Sequence, residues 1–176
     1  MPRIARLLNN SESTIYHVMS RTALDGLPMG DREKEYLLNV IKRYSKLFFV
    51  DIIGFSLLDN HFHVLLKMHP GDLYSDEQIK ERYTRFYEDD LNFKDEDIQY
   101  YRDRWYSLPV FMSEIKLRFT RFYNKSHNRR GFFWGGRYKS VIVDKGETLI
   151  NCLAYIDLNP VRAHIVEKPE QYRWSS

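Results

Sequence analysis

Leu57-Leu58-Asp59-Asn60-His61-Phe62-His63-Val64-Leu65-Leu66 decides the reading of this chain. Asp59-Asn60 has turn chemistry, with an apolar run on either side. Val50–Leu58 therefore reads as one strand and His61–Met68 as the next, paired as a hairpin. Side chains at i and i+2 of a strand leave the same face. His61 and His63 then stand side by side, and Phe62 points the other way. Neutral imidazole nitrogens are common ligands of divalent cations. By itself the pair reads equally as two histidines with hydrogen-bond partners, because His-x-His is short and arises by chance.

Working outward, Ser13–Arg21 reads as the first strand and 22–30 as a loop with two glycines and a proline. Asp31 is expected to cap a helix running to about Phe48, with Tyr36, Leu37, Val40, Ile41 and Tyr44 at helical spacing. Asp72–Arg104 holds eleven acidic and six basic residues and reads as one or two charged helices, an insertion at about 70–108. Pro109 opens a helix to about Ser126, and Tyr138–Val143 reads as a fourth strand. Asp144 and Glu147 fit a capping box for a last helix that buries Leu149, Leu153 and Ile156. The order β-α-β-β-α-β plus a helix predicts an α+β fold: a ferredoxin-like split βαβ with an antiparallel sheet.

The 176 residues suit a single domain spanning 1–176. Neither an apolar run of membrane-spanning length nor a secretory leader is evident, so no membrane partner is expected. The lone Cys152 rules out an internal disulfide framework and suits a cytoplasmic location. Its reading is a packed helix residue, since nothing in the sequence around it looks arranged to activate it.

The net charge is only +3, but its distribution is uneven. Lys116, Arg118, Arg121, Lys125, Arg129, Arg130, Arg137 and Lys139 form a run of eight cations with no acid between the first and the last. Phe119, Phe122, Tyr123, Phe132, Phe133, Trp134 and Tyr138 are interleaved with them. Cations bind phosphates and aromatic faces stack on unpaired bases. The plain alternative is a solvated helix face over core aromatics. The expectation is that most of the rings are buried while the charges face a nucleic acid, with Arg118, Arg121, Arg129, Arg130, Arg137 and Lys139 as the DNA-binding candidates.

A second motif lies far from the histidines: Cys152-Leu153-Ala154-Tyr155-Ile156-Asp157-Leu158-Asn159-Pro160-Val161-Arg162-Ala163. Tyr155 and Asn159 are four residues apart on the last helix and therefore share one face, one turn from each other. Over the sheet, Asn159 would add an oxygen ligand beside His61 and His63. The plain readings are a core tyrosine and an asparagine helix C-cap.

Together the motifs resemble the HUH single-tyrosine transposases, in the REP-associated (IS200-like) branch. His61-Phe62-His63 matches the histidine–hydrophobe–histidine signature, and Tyr155 falls at the nucleophile's place. Tyr16-His17-Val18-Met19-Ser20-Arg21, Gly135-Gly136-Arg137-Tyr138-Lys139-Ser140 and Tyr172-Arg173-Trp174-Ser175-Ser176 follow the family's order. The stretch from about Pro70 to Leu108 has no counterpart among these motifs. Phe119 and Phe122 stand where the branch often carries tyrosine.

The resemblance implies the split βαβ fold and a divalent metal, Mg²⁺ or Mn²⁺, held by His61, His63 and Asn159. It implies Tyr155 as the nucleophile in nicking and joining single-stranded or hairpin DNA through a 5′-phosphotyrosine, and leaves a homodimer open. His17, His69, His127 and His164 are weaker site candidates. Two other readings compete: an inactive nucleic-acid binder on the same scaffold, and a hydrolase of small phosphate esters. The joint presence of His61, His63 and Tyr155 favours the nicking enzyme over the first, and the long basic-aromatic block speaks against the second.

Overall fold

The computed structural model describes residues 12–88 and 92–176. In chain order it contains β1 (Thr14–Arg21), α1 (Asp31–Ser45), β2 (Val50–Leu57), β3 (His61–Met68), α2 (Asp76–Tyr87), α3 (Ile98–Trp105), α4 (Leu108–Ser126), β4 (Lys139–Ile142), α5 (Glu147–Asp157) and a short α6 (Asn159–Arg162). The sheet order is β2-β3-β1-β4, with each neighbouring pair antiparallel. This is the expected α+β split βαβ arrangement, since α1 carries the chain from β1 over β3 to β2.

The two faces of the sheet bury different things. Tyr16, Val18, Phe62, Val64 and Leu66 face α1 and α4 in a large aromatic core with Leu37, Ile41, Phe111, Ile115 and Phe119. Leu37, Leu38, Ile41 and Tyr44 recur at helical spacing on α1, with exposed Glu35, Asn39 and Lys42 opposite, so the periodicity alone determines which stripe packs. On the other face Ile15, Leu65 and Val143 meet Ile156, with Leu149, Cys152 and Leu153 of α5 packed around them. α5 therefore covers the histidine face. Burial raises the pKa of the Cys152 thiol, in keeping with a packing role.

Three local expectations are corrected. α1 is capped by Gly30, not Asp31: the Gly30 N–H donates to Glu33 Oε2 at 3.1 Å. α5 starts from Gly146 rather than from an Asp144 cap, because Gly146 takes φ 79°, a left-handed turn that sets Glu147 as the first helical residue. The last helix is not continuous. α5 ends at Asp157, Leu158 forms a turn, and α6 begins at Asn159.

The segment 70–108 carries α2 and α3, which pack through Tyr83, Tyr101 and Trp105 onto Phe49. At the opposite edge from β4, Tyr172–Ser176 lies along β2: the Leu57 N–H donates to Trp174 O at 2.9 Å, the Ser176 N–H to Phe55 O at 3.0 Å, and the Tyr172 hydroxyl to Leu57 O at 2.6 Å. Edge amides that would otherwise face water are thus paired.

The β2–β3 turn is fastened from several sides. The Thr22 N–H donates to Asn60 O at 2.9 Å and the Met29 N–H to Asp59 O at 2.8 Å. Buried Lys34 meets Asp59 Oδ1 at 2.5 Å. Lys34→Ala should destabilise the protein by about 2 kcal/mol in chemical denaturation, below the ~3–5 of a fully buried pair because Asp59 keeps solvent contact. A loss of stability under about 0.5 kcal/mol would show the pair to be dispensable.

Candidate active site

His61 and His63 leave β3 on the α5 side, with ring centroids 5.2 Å apart. β1 adds a third imidazole. The register pairs Met19 with His63 and His17 with Leu65, which puts His17 diagonal to His63 on the same face. The His17 and His63 rings stack at 5.1 Å, and His17 Nε2 is 2.8 Å from His63 Nδ1. His61 Nδ1 lies 2.7 Å from Asn60 Oδ1, so its proton belongs on Nδ1 and the lone pair on Nε2. With the shared proton on His63 Nδ1, His63 likewise keeps an Nε2 lone pair. Each ring is then held by one nitrogen and free to coordinate with the other.

The environment keeps these rings neutral. His63 is 1% exposed, and burial, then His17 and His61, push it down to about 3. Burial lowers His61, assisted by Arg21 and opposed by Asp59, and burial lowers His17. His63 binds a proton more readily unfolded, near 6.5, than folded, so folding is favoured above 6.5 and loses this contribution as pH falls toward 3. His63→Gln should flatten the dependence of the unfolding midpoint on pH across that window; an unaltered slope would assign it to other groups.

Tyr155 projects from α5 over the histidines, its ring 5.7 Å from His63 and 6.0 Å from His17, both edge-on. It is 39% exposed, so it is open to a ligand. The Arg162 guanidinium lies 5.2 Å from its ring centroid. Arg21, which pairs with His61 in the ladder, and Lys139, which pairs with Met19, bring two further exposed cations to the same face.

The donor set fits a divalent ion in part. Two neutral imidazoles present free nitrogens on one face. Among the described residues, the buried polar atoms without a hydrogen-bond partner include Ser56 Oγ, cross-strand from His63, and the amide nitrogen of Asn159, the residue that opens α6. No three of His, Cys, Asp and Glu cluster among the described residues as a ligand set. An ion here would complete its shell with neutral oxygens from amide, water or phosphate, as hard divalent ions commonly do.

The other candidates disperse. His69 bonds Asp51 at 2.7 Å and Ser13 at 3.0 Å at the far end of β3, and His127 pairs with Glu33 at 3.1 Å. His164 follows α6 with φ 55°. Arg118 and Arg121 lie on α4, across the sheet from the histidines, and the Arg118 Nε–H donates to the Tyr44 hydroxyl at 2.9 Å. Arg129 bonds Asn124 Oδ1 and Phe132 O. Arg130 and Arg137 are exposed in the loop before β4. Of the named cations, the strand register puts Lys139 on the histidine face. Phe119, Tyr123, Phe133, Trp134 and Tyr138 are buried as expected, whereas Phe132 is 86% exposed.

His17 is more central to this face than its sequence context suggests, and no local motif marks Arg21, Ser56 or Arg162 as neighbours of the histidines. Strand alternation puts His17 and Arg21 on one face of β1; only the cross-strand register shows that this face is the one His63 shares.

No protein-family model matches the chain, and no curated protein does. Two solved structures are similar. One is a REP-associated tyrosine transposase bound to a REP hairpin: TM-score 0.68 and 14% identity, over 99% of this chain and 82% of that one. The other is a transposase-like protein of Deinococcus radiodurans, with TM-score 0.47 and 13% identity over 89% of this chain and 96% of that one. The chain has the fold of the first. Among the described residues no helix is long and apolar enough to cross a membrane.

Proposed function

We propose that this chain is an HUH-type, transposase-like enzyme that nicks and joins single-stranded DNA through a tyrosine nucleophile. The observation that carries the reading is the placement of Tyr155 over the His17–His63 pair, beside His61, on one sheet face. A divalent ion held by His61 and His63, with Asn159 as the oxygen donor, would polarise a nonbridging phosphate oxygen and offset charge in the transition state.

The chain's own residues supply the rest. The Tyr155 hydroxyl oxygen attacks phosphorus, a P–O bond to Tyr155 forms, and the P–O3′ bond breaks. The hydroxyl proton leaves to solvent and the departing 3′ oxygen takes one up. The products are a 5′-phosphotyrosine and a free 3′-OH, and attack by another 3′-OH reverses the step and joins strands. Arg162, Arg21 and Lys139 bring positive charge to the face where the phosphate would sit. His17 holds His63 in the ring orientation and tautomer that leave Nε2 free.

The test is incubation with hairpin DNA carrying single-stranded flanks, in Mn²⁺. A protein–DNA adduct that survives denaturation supports the reading. Tight binding with no adduct, across a panel of palindromic hairpins, would leave a nucleic-acid binder without chemistry.

A further inference from the structure

Behind the site, between α4 and the loop before β4, runs a groove of about 580 Å³ whose exposed lining is mostly apolar. Leu117, Phe132, Phe133 and Trp134 supply the apolar walls, and Lys116 and Arg137 lie on it with no acidic residue among the lining. We infer that this groove takes an unpaired nucleobase of the DNA strand, stacked on Phe132, with Arg137 on its phosphate. This rests on the proposed function and extends it to a second contact on the same strand.

Phe132 is the telling residue. A phenylalanine 86% exposed gains nothing from the protein's own core. Its position is nevertheless held. The Arg129 Nη1–H donates to Phe132 O at 3.2 Å, Asn124 Nδ2 donates to Gly131 O at 2.9 Å, and Gly131 takes φ 93°, which turns the chain outward. The facing wall is equally fixed: the Trp134 indole N–H donates to Lys116 O at 3.1 Å. An apolar plane beside the Arg137 guanidinium complements a base joined to a phosphate, and base–aromatic stacking tolerates any sequence.

The groove also connects to the site. Trp134 bridges to Thr22, and the Gly135 N–H donates to Arg21 O at 2.9 Å. Phe62, which lies between His61 and His63 on the reverse face, meets Trp134 at 5.3 Å. The groove is thus one sheet thickness behind the histidines. Arg21 and Lys139 on the histidine face, and Arg137 two residues before Lys139, mark a cationic path around the β4 edge.

The experiment compares two oligomers of about 20 nucleotides, oligothymidylate and an abasic strand with the same phosphates. Phe132→Ala should weaken oligothymidylate binding about tenfold and leave abasic binding unchanged, and Phe132→Trp should restore it. Arg137→Ala should weaken both and reduce the salt slope. Equal effects of Phe132→Ala on the two oligomers, or none, would overturn the inference, as would a Phe132-dependent self-association in sedimentation, which would make the groove an interface between copies. Adduct formation with hairpin DNA together with Phe132-insensitive binding sinks the groove alone. Phe132-dependent stacking without any adduct sinks the nicking reading alone.

Discussion

Tyr155→Phe is expected to eliminate the covalent protein–DNA adduct while leaving the fold and DNA affinity close to those of the original protein. The substitution removes one oxygen. The Tyr155 hydroxyl makes no hydrogen bond among the described residues, and the ring is over a third exposed, so no buried partner is orphaned. Stability should stay within about 0.5 kcal/mol. The ring contacts with His17, His63 and Arg162 survive because they use the ring, not the oxygen. The proposed chemical step, by contrast, would lose its nucleophile, and cleavage should fall by more than about 10³-fold. Denaturing electrophoresis of labelled DNA reads the result directly. An adduct formed by the Phe variant would place the nucleophile on another residue. Tyr123, the next choice from sequence alone, is a poor substitute: it is buried on α4, across the sheet from the histidines, and stacks on His127 at 4.1 Å.

His61→Ala should lower cleavage by about 10²–10⁴-fold, the several kcal/mol that a metal supplies to phosphoryl transfer, and abolish saturable Mn²⁺ binding. Hairpin binding should hold, because Arg21, Lys139 and Arg162, the cations proposed to meet phosphate, are untouched. His61 is the cleaner choice. His63 is almost fully buried, so His63→Ala adds a cavity and strands the His17 nitrogen. His17→Ala tests the supporting role: Mn²⁺ affinity should drop about 10–100-fold, with His17→Asn recovering part of it. Titration of Mn²⁺ by calorimetry separates metal loss from activity loss. Wild-type Mn²⁺ affinity in His61→Ala would remove His61 from the site.

The β2–β3 hairpin was legible because turn chemistry and an apolar run agreed, and β3 begins and ends where the residues say it does. The shared face of His61 and His63 follows from strand alternation alone. Less local matters were not legible. Nothing near His17 says that it will meet His63, a pairing that depends on register between strands 46 residues apart. The turn at Leu158 escaped because the spacing of Tyr155 and Asn159 fits an unbroken helix as well. The basic run from Lys116 to Lys139 reads as one patch along the chain. In space α4 lies on one face of the sheet and Lys139 on the other, so a one-dimensional charge count cannot say which cations share a ligand.

The clamped turn at Asp59-Asn60 has an entropic consequence. A site that must order its own loop before binding gives up affinity for each rotamer and backbone angle it freezes, on the order of 1–2 kcal/mol per residue of backbone. Here Thr22, Met29, Lys34 and the Leu58–His61 bond have frozen that turn already. His61 therefore presents its nitrogen at little further ordering cost. Under the proposed function, the adjustment on engagement would fall to the incoming DNA strand, which would bend its flexible backbone to a fixed protein surface.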